Sequence, residues 1–203
     1  LAFVVDLSVA ADISNMMDEL LGQWGAVDVL VNNAGGPPPG NHESINDEQW
    51  GAAFDLTLRS AVRLTNLVLP GMKASGGGRI INLSSYSVKQ PMEAMLLSNS
   101  LRLAALGWAK TLSNEVGQHN ILVNTICTGW TQTQRVDQLL EVRADQQGLD
   151  PSELANQLIS KIPLRRLAQP TEIAAVALFL ASPAASYITG AAIPVDGGCA
   201  QMI

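Results

Sequence analysis

The chain has 203 residues, of which 47% are hydrophobic and 15% are charged. This length and composition supply the core of one domain over residues 1–203, and they exclude a disordered chain. The net charge of −6 leaves no basic excess for nucleic acid, so we expect no such partner. Cys127 and Cys199 stand far apart without a CxxC pair, so they predict neither a disulfide framework nor a metal site.

The chain offers no pattern typical of a membrane protein. Its longest uncharged apolar run, residues 173–181, is much shorter than the about 20 residues that cross a bilayer. The first residues lack the basic flank of a signal peptide. We therefore expect a soluble protein of the reducing cytoplasm with no membrane partner.

The first half of the chain alternates short β-branched runs with longer helical patterns. Strands are predicted at residues 1–6, 27–32 and 79–83. Helices are predicted between them, over residues 10–24 and about 47–72. Glycine and proline at positions 35–40 end the second strand in a loop.

The second half continues this alternation. It predicts helices over residues 98–116 and 171–181, the latter capped by Thr171, and strands at 121–126 and 191–195. Residues 132–161 are helical and more polar, which indicates an insertion over one edge. Strands that are apolar on both faces and alternate with helices predict an α/β fold, a doubly wound parallel sheet.

Ligands of such sheets bind outside the carboxyl ends of the strands, where the loops converge. The residues at those ends are Asp6, the 32–36 loop, Ser84 with Ser85, and the 128–133 turn. We expect these groups to build the site. The loop over residues 86–97 and the polar helices over 132–161 are expected to form the substrate pocket.

Four segments at these positions match a known pattern in order and spacing. Residues 29–35 read VLVNNAG, 81–85 read INLSS, 121–133 end in a turn around Gly129, and 188–198 end in VDGG. In these motifs the chain resembles the short-chain dehydrogenase/reductase family, most closely the branch of the 3-oxoacyl-carrier-protein reductases. The resemblance implies a Rossmann-like fold and NAD or NADP as cofactor. It also implies a small-molecule ketone or secondary alcohol as substrate, 3-oxoacyl thioesters among them.

The resemblance also implies which residues contact the cofactor. Asp6, followed by Leu7, stands where the family hydrogen-bonds the adenine, and a carboxylate there accepts from an amino group. An ordinary helix-capping aspartate is the alternative. Asn33, Ala34 and Gly35 let the backbone pass close to the ribose, because small residues leave that space open. A plain strand-end turn is the alternative.

The turn after the fourth predicted strand supplies further contacts in the family. Gly129 and Thr133 stand where the family's turn approaches the pyrophosphate and the nicotinamide carboxamide. Arg102 stands where the family has a lysine that holds the ribose. These three assignments come from the resemblance alone.

In the family a Ser, a Tyr and a Lys carry the chemistry, and an Asn on the preceding helix supports a water chain. Ser85 fills the serine position. Counting thirteen residues on leads to Ser98, and four more lead to Arg102, where the Tyr and the Lys are expected. Thr57 stands at the Asn position.

These replacements weaken the expected proton transfer. A phenol with a pKa near 10 can be tuned towards neutrality, whereas an alkyl hydroxyl such as that of Ser98 is far less acidic. Arg102 remains able to hold a ribose or stabilise an oxyanion, but a guanidinium does not release its proton. Tyr86, beside Ser85, is either a substitute acid or a packing residue at the substrate wall.

The 203 residues contain no TGxxxGxG cluster, with which the family binds the diphosphate. We therefore expect the chain to be N-terminally truncated relative to a full-length parent, and its cofactor binding to be impaired. The sheet is then expected to have an unpaired edge, unless the strand at residues 1–6 pairs directly with the strand at 27–32.

Two functions remain open at this point. The first is an NAD(P)-dependent oxidoreductase, impaired in this form, with Ser85 as oxyanion donor assisted by Arg102 or Tyr86. The alternative is a non-catalytic pseudoenzyme or partner subunit of the same fold. For either function we expect a homodimer or homotetramer, because the helix over residues 98–116 has more apolar residues than one stripe requires. These residues are Leu101, Ala104, Ala105 and Trp108.

Overall fold

The computed structural model describes residues 1–201. Within them, four parallel strands form one sheet in the order β1 (Val29–Asn32), β2 (Gly78–Ser85), β3 (Ile121–Thr128) and β4 (Ala192–Val195). The α-helices are α1 (Ala10–Trp24), α2 (Asp47–Phe54), α3 (Ser60–Ala74), α4 (Leu96–Val116), α5 (Gln134–Gln147), α6 (Pro151–Ser160) and α7 (Pro170–Ala181). A π-helical turn, Asp55–Arg59, joins α2 to α3. The predicted Rossmann-like α/β class is confirmed.

Helices cover both faces of the sheet. Ile80 and Ile81 are adjacent in β2 and point to opposite faces, so each belongs to a different core cluster. On the first face α1, α3 and α4 pack against the sheet, and Ile13 and Met17 of α1 lie one turn apart in that cluster. On the second face α7 packs over β2 and β3. Buried strands of this kind explain the near-continuous apolar runs in the sequence.

The strand predicted at residues 1–6 is wrong. These residues form no strand, and Val4 is fully exposed. The backbone N–H of Asp6 donates to the Asp12 carboxylate, and the Asp6 carbonyl accepts from Val9, so the segment's end leads into α1. A strand needs an adjacent strand to pair with its backbone N–H and C=O groups, and residues 1–6 have no such partner among the described residues.

The alternative to an unpaired edge, in which residues 1–6 pair directly with the next strand, is therefore not what the structure shows. Among the described residues β1 pairs with β2 alone. Its side chains Val29 and Val31 are 40% and 46% exposed. The unpaired sheet edge that the sequence predicted is therefore the outer side of β1, as far as the described residues show.

The predicted cap of the last helix is also wrong. α7 begins at Pro170, with Gln169 rather than Thr171 at the N-cap. Proline fits the first helical position because its ring fixes φ and it has no N–H to satisfy. The Glu172 carboxylate accepts from the Gln169 N–H at 2.8 Å and from Arg166 at 2.7 Å, which completes the capping.

The remaining elements are close to their predictions. The polar insertion is divided into α5 and α6 by Gly148, which has a φ of 64°, and by Pro151 at the start of α6. The long helix predicted over residues 47–72 contains the π-helical turn. None of the helices in residues 1–201 is long and apolar enough to cross a membrane.

Candidate functional site

The carboxyl ends of three strands lie side by side. Both β2 and β3 run two residues further than predicted, and their last residues, Ser85 and Thr128, are in register. Asn32 of β1 is in register with Asn82 of β2, and its Nδ2 donates to the Asn82 Oδ1 at 2.9 Å. The loops that follow these strands therefore converge on one edge of the sheet.

A cleft of about 560 Å³ opens at this edge, and we call it the strand-end cleft. It is lined by the loops after β1 and β3 and by the start of α7. The structure brings six of the predicted cofactor-binding residues together in its wall. These residues are Asn33, Ala34, Gly35, Arg102, Gly129 and Thr133.

Gly129 has a packing reason of its own to be glycine. A Cβ there would stand 2.5 Å from the Cα of Asp196. Its N–H donates to the Val195 carbonyl at 2.9 Å, which fixes this close approach. The absence of a side chain thus allows the turn after β3 to lie against the turn after β4.

Neither Asp6 nor Leu7 lines this cleft, although Leu7 lines a neighbouring cavity together with Asn33 and Ala34. The Asp6 carboxylate accepts from the Ser8 hydroxyl at 2.7 Å and from the Ser8 N–H at 2.8 Å. These hydrogen bonds lower the pKa of Asp6. The geometry is that of an exposed aspartate that closes a turn, and the N-cap of α1 is Val9, so Asp6 does not cap the helix as the alternative interpretation expected. Leu7 packs on the core of the first sheet face.

Beside the cleft lies a smaller space of about 140 Å³, the junction cavity. Ser85, Tyr86, Ser98 and Arg102 line it, so the structure brings four of the predicted catalytic residues together. Ser98 is 4% exposed, and its Oγ accepts from the Arg102 Nε at 3.2 Å. The Ser85 Oγ accepts from the Ser87 N–H at 3.1 Å, which leaves the Ser85 proton available to a ligand.

Arg102 connects three segments. Besides Ser98 on its own helix, it donates to the Leu83 carbonyl at 3.3 Å and to the Gly35 carbonyl at 3.4 Å. Burial lowers the pKa of Arg102, and the nearby Arg135 lowers it further. A guanidinium nevertheless keeps its proton, so this side chain contributes positive charge and hydrogen-bond donors.

Tyr86 is buried where the junction cavity meets a larger space. Its hydroxyl accepts from the Trp130 Nε1 at 3.1 Å. Burial, together with the neighbouring Cys199, raises the pKa of Tyr86 to about 12. A proton donor in catalysis works best with a pKa near the working pH, so this phenol is a weak acid for that task.

Thr57 lies on the other side of Arg102. It lines an inner cavity of about 150 Å³ that Arg102 also borders. The polar atoms of this cavity with no protein partner are Thr57 Oγ1, Asn32 Oδ1, Asn82 Nδ2 and Ser84 Oγ. Most of the lining is apolar, but a cavity of this size has room for waters that bridge these four polar atoms, as buried polar groups require. Thr57 comes from the π-helical turn, a rare element that occurs frequently at functional sites.

Beyond Tyr86 and Trp130 lies the outer chamber, of about 510 Å³. Its walls come from the 86–97 loop and from α5 and α6, the segments from which a substrate pocket was predicted. Arg143 stacks over the Trp130 ring at 5.8 Å from its centroid, and its Nη2 donates to the Glu93 carbonyl at 3.0 Å.

Sequence reasoning missed Trp130, Arg135 and Arg143. Trp130 belongs to the turn around Gly129, and Arg135 follows that turn. Their position near the end of β3 is the signal that could have identified them as site residues. Arg143 lies in the middle of a polar helix, where a charged side chain is usually solvated. No sequence pattern distinguishes it.

Parallel strands with helices on both faces and a ligand cleft at the strand ends define a doubly wound α/β protein. A family model described as enoyl-(acyl carrier protein) reductase matches residues 1–200. The chain belongs to the short-chain dehydrogenase/reductase family, so the expected family membership is confirmed.

Proteins named for dehydrogenase and reductase activities are similar to this chain. The D-beta-hydroxybutyrate dehydrogenase of Cupriavidus necator is 34% identical over 194 residues, which are 95% of this chain and 75% of that protein. The 3-oxoacyl-[acyl-carrier-protein] reductase of Chlamydia muridarum is 33% identical over 197 residues, 97% of this chain and 75% of that protein. The L-sorbose reductase of Gluconobacter frateurii, solved with NADPH and L-sorbose, superposes with a TM-score of 0.92 at 31% identity, over 98% of this chain and 76% of that one.

The residues of the strand-end cleft fit a nicotinamide dinucleotide. The cleft has the volume of a cofactor pocket, and small residues leave its backbone accessible. Ser84, which separates this cleft from the inner cavity, has a hydroxyl with no protein partner. This combination suits a ligand with ribose hydroxyls and a carboxamide.

Proposed function

We propose that the chain is an NAD(P)-dependent oxidoreductase that interconverts a small-molecule ketone and a secondary alcohol. The observation that carries this proposal is the convergence of Ser85, Ser98 and Arg102 in the junction cavity, directly beside the strand-end cleft. The activities of the 3-oxoacyl and hydroxybutyrate relatives favour a 3-oxoacyl compound as the substrate.

Each residue has a role that follows from its position. Asn33, Ala34, Gly35, Gly129 and Thr133 hold the dinucleotide through the backbone and through the Thr133 hydroxyl. When bound, a nicotinamide supplies or accepts a hydride.

The Ser85 hydroxyl donates to the carbonyl oxygen of the substrate, because its own proton is free. Arg102 stabilises the negative charge that develops on that oxygen. Thr57 holds water on the far side of Arg102, in the inner cavity.

Proton transfer is the weak step of this site. We propose that Ser98 and Arg102 occupy the positions of the family's Tyr and Lys, and that the activity is impaired for this reason. Tyr86 does not replace the lost phenol, since burial raises its pKa to about 12. We also expect weak dinucleotide binding, because Asp6 is engaged with Ser8 and does not line the cleft.

A second candidate function is a non-catalytic partner subunit of the same fold. The observation that favours it is that Tyr86, the tyrosine that lines the junction cavity, has a raised rather than a lowered pKa. The homodimer or homotetramer expected from α4 stays a proposal. Leu101 is used within the chain, packing against Ala53 and Leu97, so the surface for a partner is the side that exposes Leu103.

Restoring the phenol tests the assignment of Ser98 and Arg102. We expect the double variant Ser98→Tyr with Arg102→Lys to reduce ketones about 10²-fold to 10⁴-fold faster than the wild type, the usual contribution of a general acid. The matched control is Ser98→Phe with Arg102→Lys, which adds the same ring without the hydroxyl. Equal rates for the two double variants would contradict the assignment.

Fluorescence titrations with NADH and NADPH separate the two functions. Cofactor binding with measurable turnover on a carbonyl panel supports the oxidoreductase. Binding without turnover by the wild type or by the Ser98→Tyr double variant supports the partner subunit. A dissociation constant well below about 1 mM would contradict the expected weak binding.

A further inference from the structure

The Arg135 side chain reaches the site although the residue as a whole is exposed. Arg135 is in the first turn of α5, two residues after Thr133, the N-cap of that helix. Its Nη2 donates to the Pro37 carbonyl at 2.8 Å, in the loop after β1. The guanidinium therefore crosses the gap between the loops after β3 and β1, and it borders both the strand-end cleft and the junction cavity.

Two guanidiniums meet over Gly36. A Cβ built on Gly36 would stand 3.3 Å from the Arg102 Nη2 and 3.9 Å from both the Nε and the Nη2 of Arg135. Glycine at this position leaves the space between the two cations open. Their proximity is also one cause of the lowered pKa of Arg102.

Neither guanidinium has a carboxylate partner within 4.0 Å among the described residues. The arginines that do have one are Arg59, Arg63 and Arg166. Asp196, which packs behind Gly129, instead accepts from the N–H groups of Gly198 and Ala200. Two neighbouring like charges without a counter-ion are unfavourable, and an anion between them relieves the repulsion.

The start of α5 adds to the positive potential. Among the described residues no acceptor is found for the backbone N–H groups of Gln134 and Arg135, whereas Val136 donates to Thr133. The first N–H groups of a 14-residue helix carry partial positive charge and attract anions. The helix and the two side chains thus act at the same place.

We propose that Arg102 and Arg135 bind one anionic group, a carboxylate or a phosphate, where the strand-end cleft and the junction cavity meet. Planar guanidiniums offer paired N–H donors that match both groups. The group belongs either to an acidic substrate or to the dinucleotide. The assignment of the anionic group to a substrate or to the dinucleotide rests on the proposed function, whereas anion binding by the two arginines does not require that the chain be an enzyme.

Equilibrium binding of simple anions tests the site. Inorganic phosphate and acetate are titrated into the full chain at constant ionic strength and followed by calorimetry. We expect saturable binding that Arg135→Gln weakens by about 10-fold to 100-fold, the effect of a lost charge-assisted hydrogen bond. The matched control is Arg59→Gln, which removes the same charge from an exposed ion pair with Asp55 and should leave the affinity unchanged.

Three results would overturn the proposal. They are no saturable binding by the wild type, unchanged affinity in Arg135→Gln, and an equal loss in Arg59→Gln. If Arg135→Gln does not fold, Arg135→Lys keeps the charge and loses the planar donor pair, so it should weaken binding less. Side-chain Nε resonances of Arg102 and Arg135 should shift on phosphate addition to the wild type, and resonances that do not move would also overturn the proposal.

Competition identifies the source of the anionic group. Phosphate that displaces acetoacetate but not its neutral methyl ester assigns the site to the substrate, and phosphate that displaces NADH assigns it to the dinucleotide. Displacement of neither ligand would overturn the location. A chain that is inactive on every carbonyl would refute the proposed function, yet it would still bind phosphate through Arg135 if the anion site exists.

Discussion

Replacing Gly129 with alanine tests the close approach of the two turns at the carboxyl edge. The new Cβ would stand 2.5 Å from the Asp196 Cα, 2.8 Å from its Cβ and 3.0 Å from its carbonyl oxygen. Carbon atoms in contact prefer separations of about 3.5 to 4.0 Å, so one turn must move by about 1 Å. The hydrogen bond from Gly129 to Val195 resists that movement, and overpacking of this kind costs about 1–3 kcal/mol.

Urea unfolding measures this cost, and Gly107→Ala is the matched control. Gly107 lies inside α4 with no atom within 4 Å of a new Cβ. Alanine there should stabilise the chain by about 0.5–1 kcal/mol, because it favours the helix. An unfolding free energy for Gly129→Ala within about 0.5 kcal/mol of the wild type would refute the packing argument, since overpacking costs more than that.

Two pH titrations test the electrostatics. In a Tyr187→Phe variant Tyr86 is the remaining tyrosine. Its phenolate absorbance should appear with a midpoint at a pH of about 12, measured while circular dichroism still reports a folded chain. A midpoint near the ordinary tyrosine pKa of about 10 would contradict the burial of Tyr86. Hydrogen bonds from Arg166 and from the Gln169 N–H lower the pKa of Glu172 to about 2. The stabilisation from Glu172 is therefore present above the unfolded pKa of about 4.3 and is lost as the pH falls through about 2. The stability difference between the wild type and Glu172→Gln should shrink over that range, and a difference independent of pH would count against the ion pair.

Most helices and strands were predicted from the sequence because their apolar periods and terminating residues lie within the elements themselves. The 3.6-residue apolar period located α1 with the observed bounds, and Gly25 ends it with a φ of 77°. The same reasoning failed for residues 1–6. Their β-branched pattern describes a residue preference, but a strand forms only where a neighbour completes its hydrogen bonds. Sequence alone does not reveal whether that neighbour is present.

The site was predictable where it depends on topology. Parallel strands place their carboxyl ends together, so Asn33, Ser85 and Gly129 meet at one edge whatever their function. The direction of a side chain does not follow from topology. Arg135 resembles any solvated charge on a polar helix, and only the Pro37 carbonyl directs it inward. Asp6 follows a strand-like run but is held by Ser8.

The three hydrogen bonds of Arg102 limit how this position can change. Because one side chain ties α4 to the loop after β1 and to the strand β2 itself, a residue without these donors frees both segments from α4. Backbone amides around Gly35 should then exchange with deuterium faster, even with every other residue intact. Residue 102 is thus a structural brace as well as a charged group, so a lysine there keeps the charge but is expected to hold these two segments less firmly than arginine does.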